Sequence, residues 1–237
     1  MSKASKAFGR DSSLYDTSFG WRFINSKLEA VYGVDGMGVT AENLVDKYSI
    51  SREDQDAFAF RSHMKATAAR DSGRLAQEII PVNIPRRKQD DLIFEHDEFI
   101  KPDTTVEILE KLRPAFRKEG GSVTAGNSSG LNDGSAALLL ANESGLTSSG
   151  LTPLAQIISS AVVGVEPRIM GIGPVRASEM ALKKAGITFN DLDVIELNEA
   201  FSAQALACMR AWGLDDDDSR INPNGGGISI GHPLGVT

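Results

Sequence analysis

Cysteine, histidine and long apolar runs are all scarce in this chain. Cys208 is the single cysteine among 237 residues, which excludes an internal disulfide framework and a cysteine-based metal cluster. The three histidines, His63, His96 and His232, lie far apart and lack the one-turn spacing of a metal-binding helix. We therefore predict no metal site.

Membrane and nucleic-acid functions are also not expected. No stretch approaches the roughly 18 uninterrupted apolar residues of a membrane span, and residues 1–6 are not followed by the apolar core of a secretory leader. The net charge of −7, from 25 basic and 32 acidic residues, provides no global field that would gather nucleic acid. These features predict a cytoplasmic protein in which an anionic ligand would need a local site.

The overall composition of the chain, 41% hydrophobic and 24% charged residues, is typical of a soluble globular protein. Residues 1–35 mix polar and aromatic side chains without a period, which predicts loops with one short helix. A second helix is expected over residues 40–47, capped by Thr40. Residues 79–84 and 92–94 alternate like strands around a charged turn and predict a hairpin.

A longer helix is predicted to follow Ser51, because Ser51 and Asp54 have the spacing of a capping box. Gly73 is placed to end this helix in a left-handed conformation. Apolar side chains that recur at helical spacing would form its buried face: Ala57, Phe60, Met64 and Ala68.

The second half of the chain predicts an α/β arrangement. Residues 135–141, 154–160 and 192–197 are candidates for buried strands, and residues 175–185 have a helical pattern between the last two. A strand, a crossover helix and a strand imply a parallel sheet that is covered by helices. A further helix is expected over residues 200–212.

Asn198 lies at the end of the third predicted strand. Ligands of open α/β sheets bind where strand ends meet the following helices. The neutral amide could donate a hydrogen bond to a reacting oxygen, or to a water that stabilises one. The alternative interpretation is that Asn198 only caps the next helix.

His232 lies in a glycine-rich stretch, with four glycines shortly before it and Pro233 directly after it. Glycines let the backbone approach other groups closely and proline fixes the chain, so the imidazole is expected to be held in place. Such a histidine could act as a general base near neutral pH or donate to an oxyanion. The alternative is a structural histidine whose hydrogen bonds are all satisfied.

Two other features are predicted to be structural. Residues 122–134 are rich in small polar side chains that could line a ligand, although their composition favours an ordinary turn. Cys208 shares a helical face with Phe201, Ala205 and Trp212, which predicts burial without chemistry.

Two motifs in this order carry a resemblance to a known family. Asn198-Glu199-Ala200-Phe201 followed by Gly231-His232-Pro233, with residues 122–133 upstream, resembles catalytic loops of thiolases, and the resemblance runs along nearly the whole chain. Within the family, the likeness to the 3-oxoadipyl-CoA branch is carried by segments at residues 16–23, 40–43 and 164–174.

The resemblance implies roles for particular residues. His232 would activate a cysteine nucleophile and, with a water held by Asn198, would stabilise the thioester oxyanion. Arg22, which has no motif support, is a candidate partner for the distal carboxylate of a 3-oxoadipyl group. Coenzyme A is expected as a substrate and not as a permanently bound cofactor. It would lie along Leu28, Met37, Lys101, Phe116, Ala125, Ser129, Leu131, Met170, Ala200 and Phe201, where Lys101 replaces an arginine common in the family.

The resemblance also implies a fold and a reaction. The fold class is α/β, a truncated thiolase fold in which βαβ layers of the C-terminal half join an α+β loop domain. We expect the loop domain, on the coenzyme A side, at residues 1–131, a remnant of the N-terminal half at 132–152 and an incomplete C-terminal half at 153–237. The full enzyme, a homodimer or homotetramer, would cleave a 3-oxoacyl-CoA with coenzyme A, or run the Claisen condensation in reverse, in aromatic or fatty acid degradation.

Both cysteines of the family chemistry are missing from this chain. Family members carry a nucleophilic cysteine before the segment present here and an acid/base cysteine after it, and Cys208 matches neither. We therefore expect an internal fragment without turnover of its own, whose missing layers leave apolar faces exposed. One alternative is a non-catalytic coenzyme A-binding or assembly subunit that needs a separate chain with the cysteine. Another is a piece of an interrupted gene in which Met1 is an internal methionine.

Overall fold

The computed structural model describes residues 6–12 and 20–236. Over these ranges the chain forms eight α-helices, short 3-10 turns and one two-stranded sheet. Residues 1–5 and 13–19, which belong to the region predicted as loops with one helix, lie outside the described part, as does residue 237. None of the helices described is long and apolar enough to cross a membrane.

The helices in chain order are α1 (Ser26–Tyr32), α2 (Met37–Tyr48), α3 (Arg52–Asp71), α4 (Val106–Glu110), α5 (Glu143–Ser149), α6 (Gly173–Ala185), α7 (Ser202–Ala211) and α8 (Gly227–Ile230). The 3-10 turns are Leu75–Gln77, Pro167–Ile172 and Phe189–Asp191. The strands β1 (Val82–Ile84) and β2 (Leu92–Phe94) pair antiparallel, with Ile84 opposite Leu92, which confirms the predicted hairpin in a shorter form. Helices α4, α5 and α8 were not predicted.

Helix α7 forms the centre of the hydrophobic core. Its residues from Ser202 to Met209 are all buried, and the small side chains of Ala203 and Ala207 let neighbouring elements approach closely. Helices α2, α3 and α6 and the turn Pro167–Ile172 all contact it. Because a helix surrounded on every side needs small or apolar residues all round, the pattern that predicted it was reliable.

The buried face of α3 differs from the prediction. The residues expected to form that face are only half-buried or exposed: Ala57, Phe60, Met64 and Ala68. The buried face instead carries polar side chains, including Asp56 and Ser62. Asp56 accepts a hydrogen bond from Asn127 Nδ2 at 2.9 Å, and Ser62 Oγ donates to Glu199 at 2.6 Å. A hydrophobic period cannot reveal such a face, since its polar groups are satisfied by loops distant in sequence.

The helix starts are partly as predicted. Ser51 Oγ accepts a hydrogen bond from Asp54 N at 3.0 Å at the start of α3, which confirms this cap. Helix α2 begins earlier than expected, at Met37, so the predicted capping role of Thr40 is wrong. The Thr40 hydroxyl lies inside the helix and donates to the Met37 carbonyl at 2.7 Å. Gly73, just beyond α3, adopts the expected left-handed conformation with φ of 76°.

Two of the predicted strands do not pair with a neighbour in the described part of the chain, so these two predictions are wrong. Residues 135–141 and 154–160 take part in no β-pairing within the described ranges, and Leu138 is 91% exposed. Helix α6 nevertheless lies beside the second segment, where Ser159 Oγ donates to the Ala181 carbonyl at 2.7 Å. A buried parallel strand needs neighbouring strands and helices on both faces, and the described chain supplies no strand for these segments.

The third predicted strand, 192–197, is reduced to a single parallel bridge between Ile195 and Ile221. Beyond that bridge, the side chain of Asn222 takes the place of a strand neighbour. Its Oδ1 accepts from Leu197 N and its Nδ2 donates to the Leu197 carbonyl, both at 2.7 Å. One amide side chain therefore holds the backbone directly before Asn198.

Candidate active site

The side chains of Asn198 and His232 meet. Asn198 Nδ2 lies 3.3 Å from His232 Nε2. Helix α7 begins at Ser202 with Phe201 as its N-cap, so the alternative that Asn198 caps this helix is wrong. Because an amide nitrogen can only donate, Nε2 accepts in this contact, which requires the tautomer that carries its proton on Nδ1.

The backbone at His232 is held by the region 122–134. His232 N donates to the Gly130 carbonyl at 2.9 Å. A Cβ added at Gly231 would lie 2.4 Å from Asn132, so only glycine permits this approach. The region whose composition favours an ordinary turn is thus part of the scaffold that holds the imidazole.

The environment of His232 favours its neutral form. Partial burial lowers the pKa of this imidazole below its usual value of 6.5. A neutral ring can accept a proton near pH 7, as a general base must. The amide of Asn198 beside it can donate to an oxygen on which negative charge develops, or to a water bound there.

An open cavity of about 540 Å³ lies beside Asn198. Asn132, Gly231 and the glycines at 225–227 form part of its wall. Within the described part of the chain, no three histidine, cysteine, aspartate or glutamate side chains come together to hold a metal ion. The side chains of Asn198, Asp97, Asp133 and Glu196 also line this cavity.

Several predicted coenzyme A contacts lie along one path that ends at the site. The rings of Phe116 and Phe201 pack edge to face, with centroids 5.9 Å apart. Ser129 donates to the Ala200 carbonyl through its backbone N–H at 3.0 Å and its hydroxyl at 3.1 Å. Since Phe201 and Ala200 follow Asn198 by three and two residues, this path is continuous with the Asn198 and His232 pair.

The other predicted contacts leave apolar surface accessible. Five of the predicted contacts are large apolar side chains that are between 41% and 53% exposed: Leu28, Met37, Phe116, Leu131 and Met170. Leu131 also pairs with His232 in a parallel bridge. Ala125 is exposed, and the exposed Lys101 places its Nζ 4.9 Å from the centre of the Phe99 ring. Accessible apolar side chains of this kind suit the apolar arm of a ligand.

Arg22 and Cys208 already have other contacts. Arg22 Nη1 donates to the carbonyls of Gly20 and Trp21 at 2.9 and 3.1 Å. Cys208 is fully buried and its Sγ lies 3.3 Å from the Gly171 carbonyl, and burial raises the pKa of the thiol to about 12. A thiol of this kind forms no thiolate near neutral pH, which confirms that Cys208 is a core residue.

Two buried residues that support the site were not predicted. Glu199 follows Asn198 and is 2% exposed, and Asn222 is 1% exposed with a φ of 44°. The only signal for Asn222 in the sequence is its place in the run Asn222-Pro223-Asn224-Gly225, which is typical of a turn. Glu199 lies in the motif Asn198-Glu199-Ala200-Phe201, but nothing in that motif predicts that its carboxylate is buried.

Family models match both parts of the chain. Residues 3–144 match the thiolase N-terminal domain, and residues 151–237 match the thiolase C-terminal domain. The chain therefore belongs to the thiolase family, a class of acyltransferases.

Two bacterial thiolases are similar in sequence to the whole of this chain. The beta-ketoadipyl-CoA thiolase of Acinetobacter baylyi is 52% identical over 237 residues, which is 100% of this chain and 59% of that protein. The 3-oxoadipyl-CoA/3-oxo-5,6-dehydrosuberyl-CoA thiolase of Escherichia coli is 50% identical with the same coverage. The chain thus spans 59% of the length of these two relatives.

Two solved structures agree with the fold. The Bacillus anthracis acetyl-CoA acetyltransferase superposes with a TM-score of 0.84 and 43% identity, over 98% of this chain and 57% of that chain. The human mitochondrial 3-ketoacyl-CoA thiolase superposes with a TM-score of 0.79 and 46% identity, over 84% of this chain and 49% of that chain. These matches confirm the predicted thiolase fold over the part of the solved chains that this chain covers.

Proposed function

We propose that this chain supplies the general base and the oxyanion-stabilising amide of a thiolase. The observation that carries the proposal is the 3.3 Å approach of Asn198 Nδ2 to His232 Nε2 beside an open cavity. His232 would take the proton from a cysteine nucleophile, and Asn198, through a water, would stabilise the oxyanion that forms on the thioester.

The substrate of the complete enzyme would be 3-oxoadipyl-CoA or a related 3-oxoacyl-CoA. Two relatives named for this substrate or its synonym, at 52% and 50% identity, support the proposal. Coenzyme A would cleave the substrate to acetyl-CoA and a shortened acyl-CoA, or the enzyme would run the condensation, in the degradation of aromatic compounds or fatty acids. The division at residues 131 and 152, a cytoplasmic location and a homodimer or homotetramer belong to the same proposal.

The chain alone is proposed to have no turnover. It has no cysteine besides Cys208, whose buried thiol has a pKa raised to about 12. The test is to incubate the purified chain with 3-oxoadipyl-CoA and coenzyme A and to follow loss of the 3-oxoacyl thioester. We expect no loss above the uncatalysed rate. A measurable rate that His232→Ala abolishes would overturn this part of the proposal.

Coenzyme A binding can be tested without turnover. Isothermal titration of coenzyme A into the chain should show binding. Phe201→Ala should weaken this binding, because it removes the ring that packs on Phe116. Ile93→Ala is the matched control, since Ile93 is 60% exposed on the hairpin. Equal affinities of the two variants would contradict the proposed path.

A second candidate function is a non-catalytic subunit that docks on a separate, cysteine-bearing chain. The observation that favours it is the exposure of Leu138, Leu154 and Val162, each at 91% or more. Sequencing of the adjacent DNA discriminates between the readings. A neighbouring reading frame that encodes the cysteine-bearing half, and restores thiolysis when both chains are mixed, supports the subunit. In-frame thiolase sequence directly upstream of Met1 counts against it.

A further inference from the structure

We propose that Glu199 is a positioning residue whose buried carboxylate keeps Asn198 and His232 facing one another. The inference rests on the proposed function for its catalytic meaning, but its geometry can be tested without any turnover. Asn198 is exposed at the cavity, whereas Glu199, the next residue, is 2% exposed in the interior between α3 and α8.

The carboxylate of Glu199 accepts three hydrogen bonds from three parts of the chain. Its Oε2 accepts from Ser62 Oγ on α3 at 2.6 Å and from Ile228 N on α8 at 3.2 Å. Its Oε1 accepts from Asn222 Nδ2 at 2.8 Å. These donors offset only part of the hydration that the carboxyl group loses, and burial raises the pKa of Glu199 above its usual value.

These contacts reach both halves of the site. Asn222 holds the backbone N–H and the carbonyl of Leu197, the residue directly before Asn198. Ile228 belongs to α8, which ends two residues before His232. A shift of the Glu199 carboxylate would therefore be transmitted to Asn198 from one side and to His232 from the other.

The glycine run before His232 fits around this carboxylate. A Cβ at Gly226 would lie 2.4 Å from the carboxyl carbon of Glu199, and a Cβ at Gly227 would lie 3.1 Å from Asn198 Oδ1. A Cβ at Gly225 would lie 2.6 Å from Ala66 on α3. The glycines are required here because the loop packs directly on Glu199, Asn198 and α3.

A glutamine at position 199 would place its NH2 group, a hydrogen-bond donor, opposite another donor of the chain. The amide offers one oxygen, whereas Asn222 Nδ2 and Ile228 N approach different oxygens of Glu199. Asn222 cannot turn its amide round, because its Oδ1 already accepts from Leu197 N. Glu199→Gln should therefore release either the Asn222 side or the α8 side.

The test measures the reactivity of His232 in the purified chain. Diethyl pyrocarbonate acylates neutral imidazole, and peptide mass spectrometry separates His63, His96 and His232. In the native chain we expect the pH profile of His232 acylation to have its midpoint below 6.5, because partial burial lowers its pKa. In Glu199→Gln we expect faster acylation and a midpoint shifted towards 6.5, with the exposed His96 unchanged.

Ile50→Ala is the control for general destabilisation. Ile50 is 3% exposed in the hydrophobic core and belongs to none of the three parts of the chain that bond Glu199. An unchanged His232 profile in a folded Glu199→Gln chain overturns the proposal. An equal change in Ile50→Ala also overturns it, since general destabilisation would then be the cause.

A second variant decides the case if Glu199→Gln does not fold. Ser62→Ala removes one donor to the carboxylate, together with the 2.9 Å contact of Ser62 Oγ with Ser229 Oγ on α8, and leaves the carboxylate in place. A smaller shift of the His232 profile in the same direction supports the proposal, and no shift overturns it. Loss of catalysis plays no part in these readouts, so failure of the proposed thiolase function would appear separately in the thiolysis assay.

Discussion

His63 lies on the buried face of α3, where its Nδ1 accepts a hydrogen bond from the backbone N–H of Lys101 at 3.3 Å. Burial, together with the nearby Lys101 charge, lowers the pKa of His63 to about 4. The imidazole is therefore neutral in the folded chain, and it joins α3 to the loop that carries a proposed coenzyme A contact.

This histidine should make stability depend on pH. Its pKa is lower in the folded chain than the ordinary value of 6.5, so the unfolded chain binds the proton more readily. The stabilisation is complete above pH 6.5 and is lost as the pH falls towards 4, by up to about 3 kcal/mol. Urea unfolding at several pH values should show this loss in the native chain. His63→Gln should remove most of this loss. If the unfolding free energy of His63→Gln fell with pH as steeply as that of the native chain, His63 would not be its cause.

Arg22 is proposed to select a dicarboxylic acyl group. Its Nη1 donates to two backbone carbonyls, which hold the guanidinium in place. Carbonyls are neutral, so these two contacts leave the positive charge of Arg22 available to a carboxylate. We expect the chain to bind an acyl-CoA with a distal carboxylate more tightly than an uncharged acyl-CoA of equal length. Arg22→Gln should remove that preference, worth about 1.5–3 kcal/mol for a charged hydrogen bond. Retention of the preference, measured by titration, would dismiss Arg22 from this role.

At the scale of elements, the start of α2 and the ring of Phe116 are fitted to one another. A Cβ at Gly38 would lie 2.1 Å from the ring of Phe116. That ring in turn packs edge to face on Phe201. The first turn of α2 therefore sets the position of an aromatic ring on the proposed coenzyme A path.

Gly38→Ala should displace this ring. Overpacking of this kind costs about 1–3 kcal/mol, and we also expect weaker coenzyme A binding, because the Phe116 and Phe201 contact is lost. Urea unfolding and isothermal titration measure the two effects. Gly164→Ala serves as control, since no atom lies within 4 Å of its added Cβ.

The double variant Gly38→Ala with Phe116→Ala identifies the cause. Removal of the ring makes room for the new methyl group, so the two destabilisations should not add. Strict additivity of the two changes in unfolding free energy would show that Gly38 acts through something other than Phe116.

At the scale of the whole molecule, residues 135–162 carry apolar side chains without cover. Leu138, Leu140 and Ile157 are between 74% and 91% exposed. Monomeric proteins rarely expose a continuous apolar surface of this kind. We expect the purified chain to bind hydrophobic dyes and to associate as its concentration rises.

Leu138→Ser combined with Leu140→Ser should reduce both dye binding and association. Analytical ultracentrifugation over a range of concentrations measures the association. Ile93→Ser, an exposed apolar residue on the hairpin at 60% exposure, should change little. A native chain that is monodisperse at all concentrations and melts in one sharp transition would contradict this expectation.

Local pattern was sufficient for several elements. Helix α7 is rich in small and apolar residues, helix α6 ends at Gly186 in a left-handed conformation, and α3 starts at the Ser51 cap. Each of these depends on residues within a few positions of one another, so the sequence alone specifies them. The motifs around Asn198 and His232 belong to the same group, because they can be read as short strings.

Tertiary structure decided the rest. The buried face of α3 includes polar side chains because Asp56 and Ser62 find partners at Asn127 and Glu199, far along the chain. The predicted strands at 135–141 and 154–160 stayed unpaired within the described ranges for a related reason, since a strand is defined by the neighbour to which it bonds. By itself the sequence determined the longer helices and the motifs that are present. The approach of Asn198 to His232, and the burial of Glu199 behind them, arise only when distant groups satisfy each other's hydrogen bonds in the folded chain.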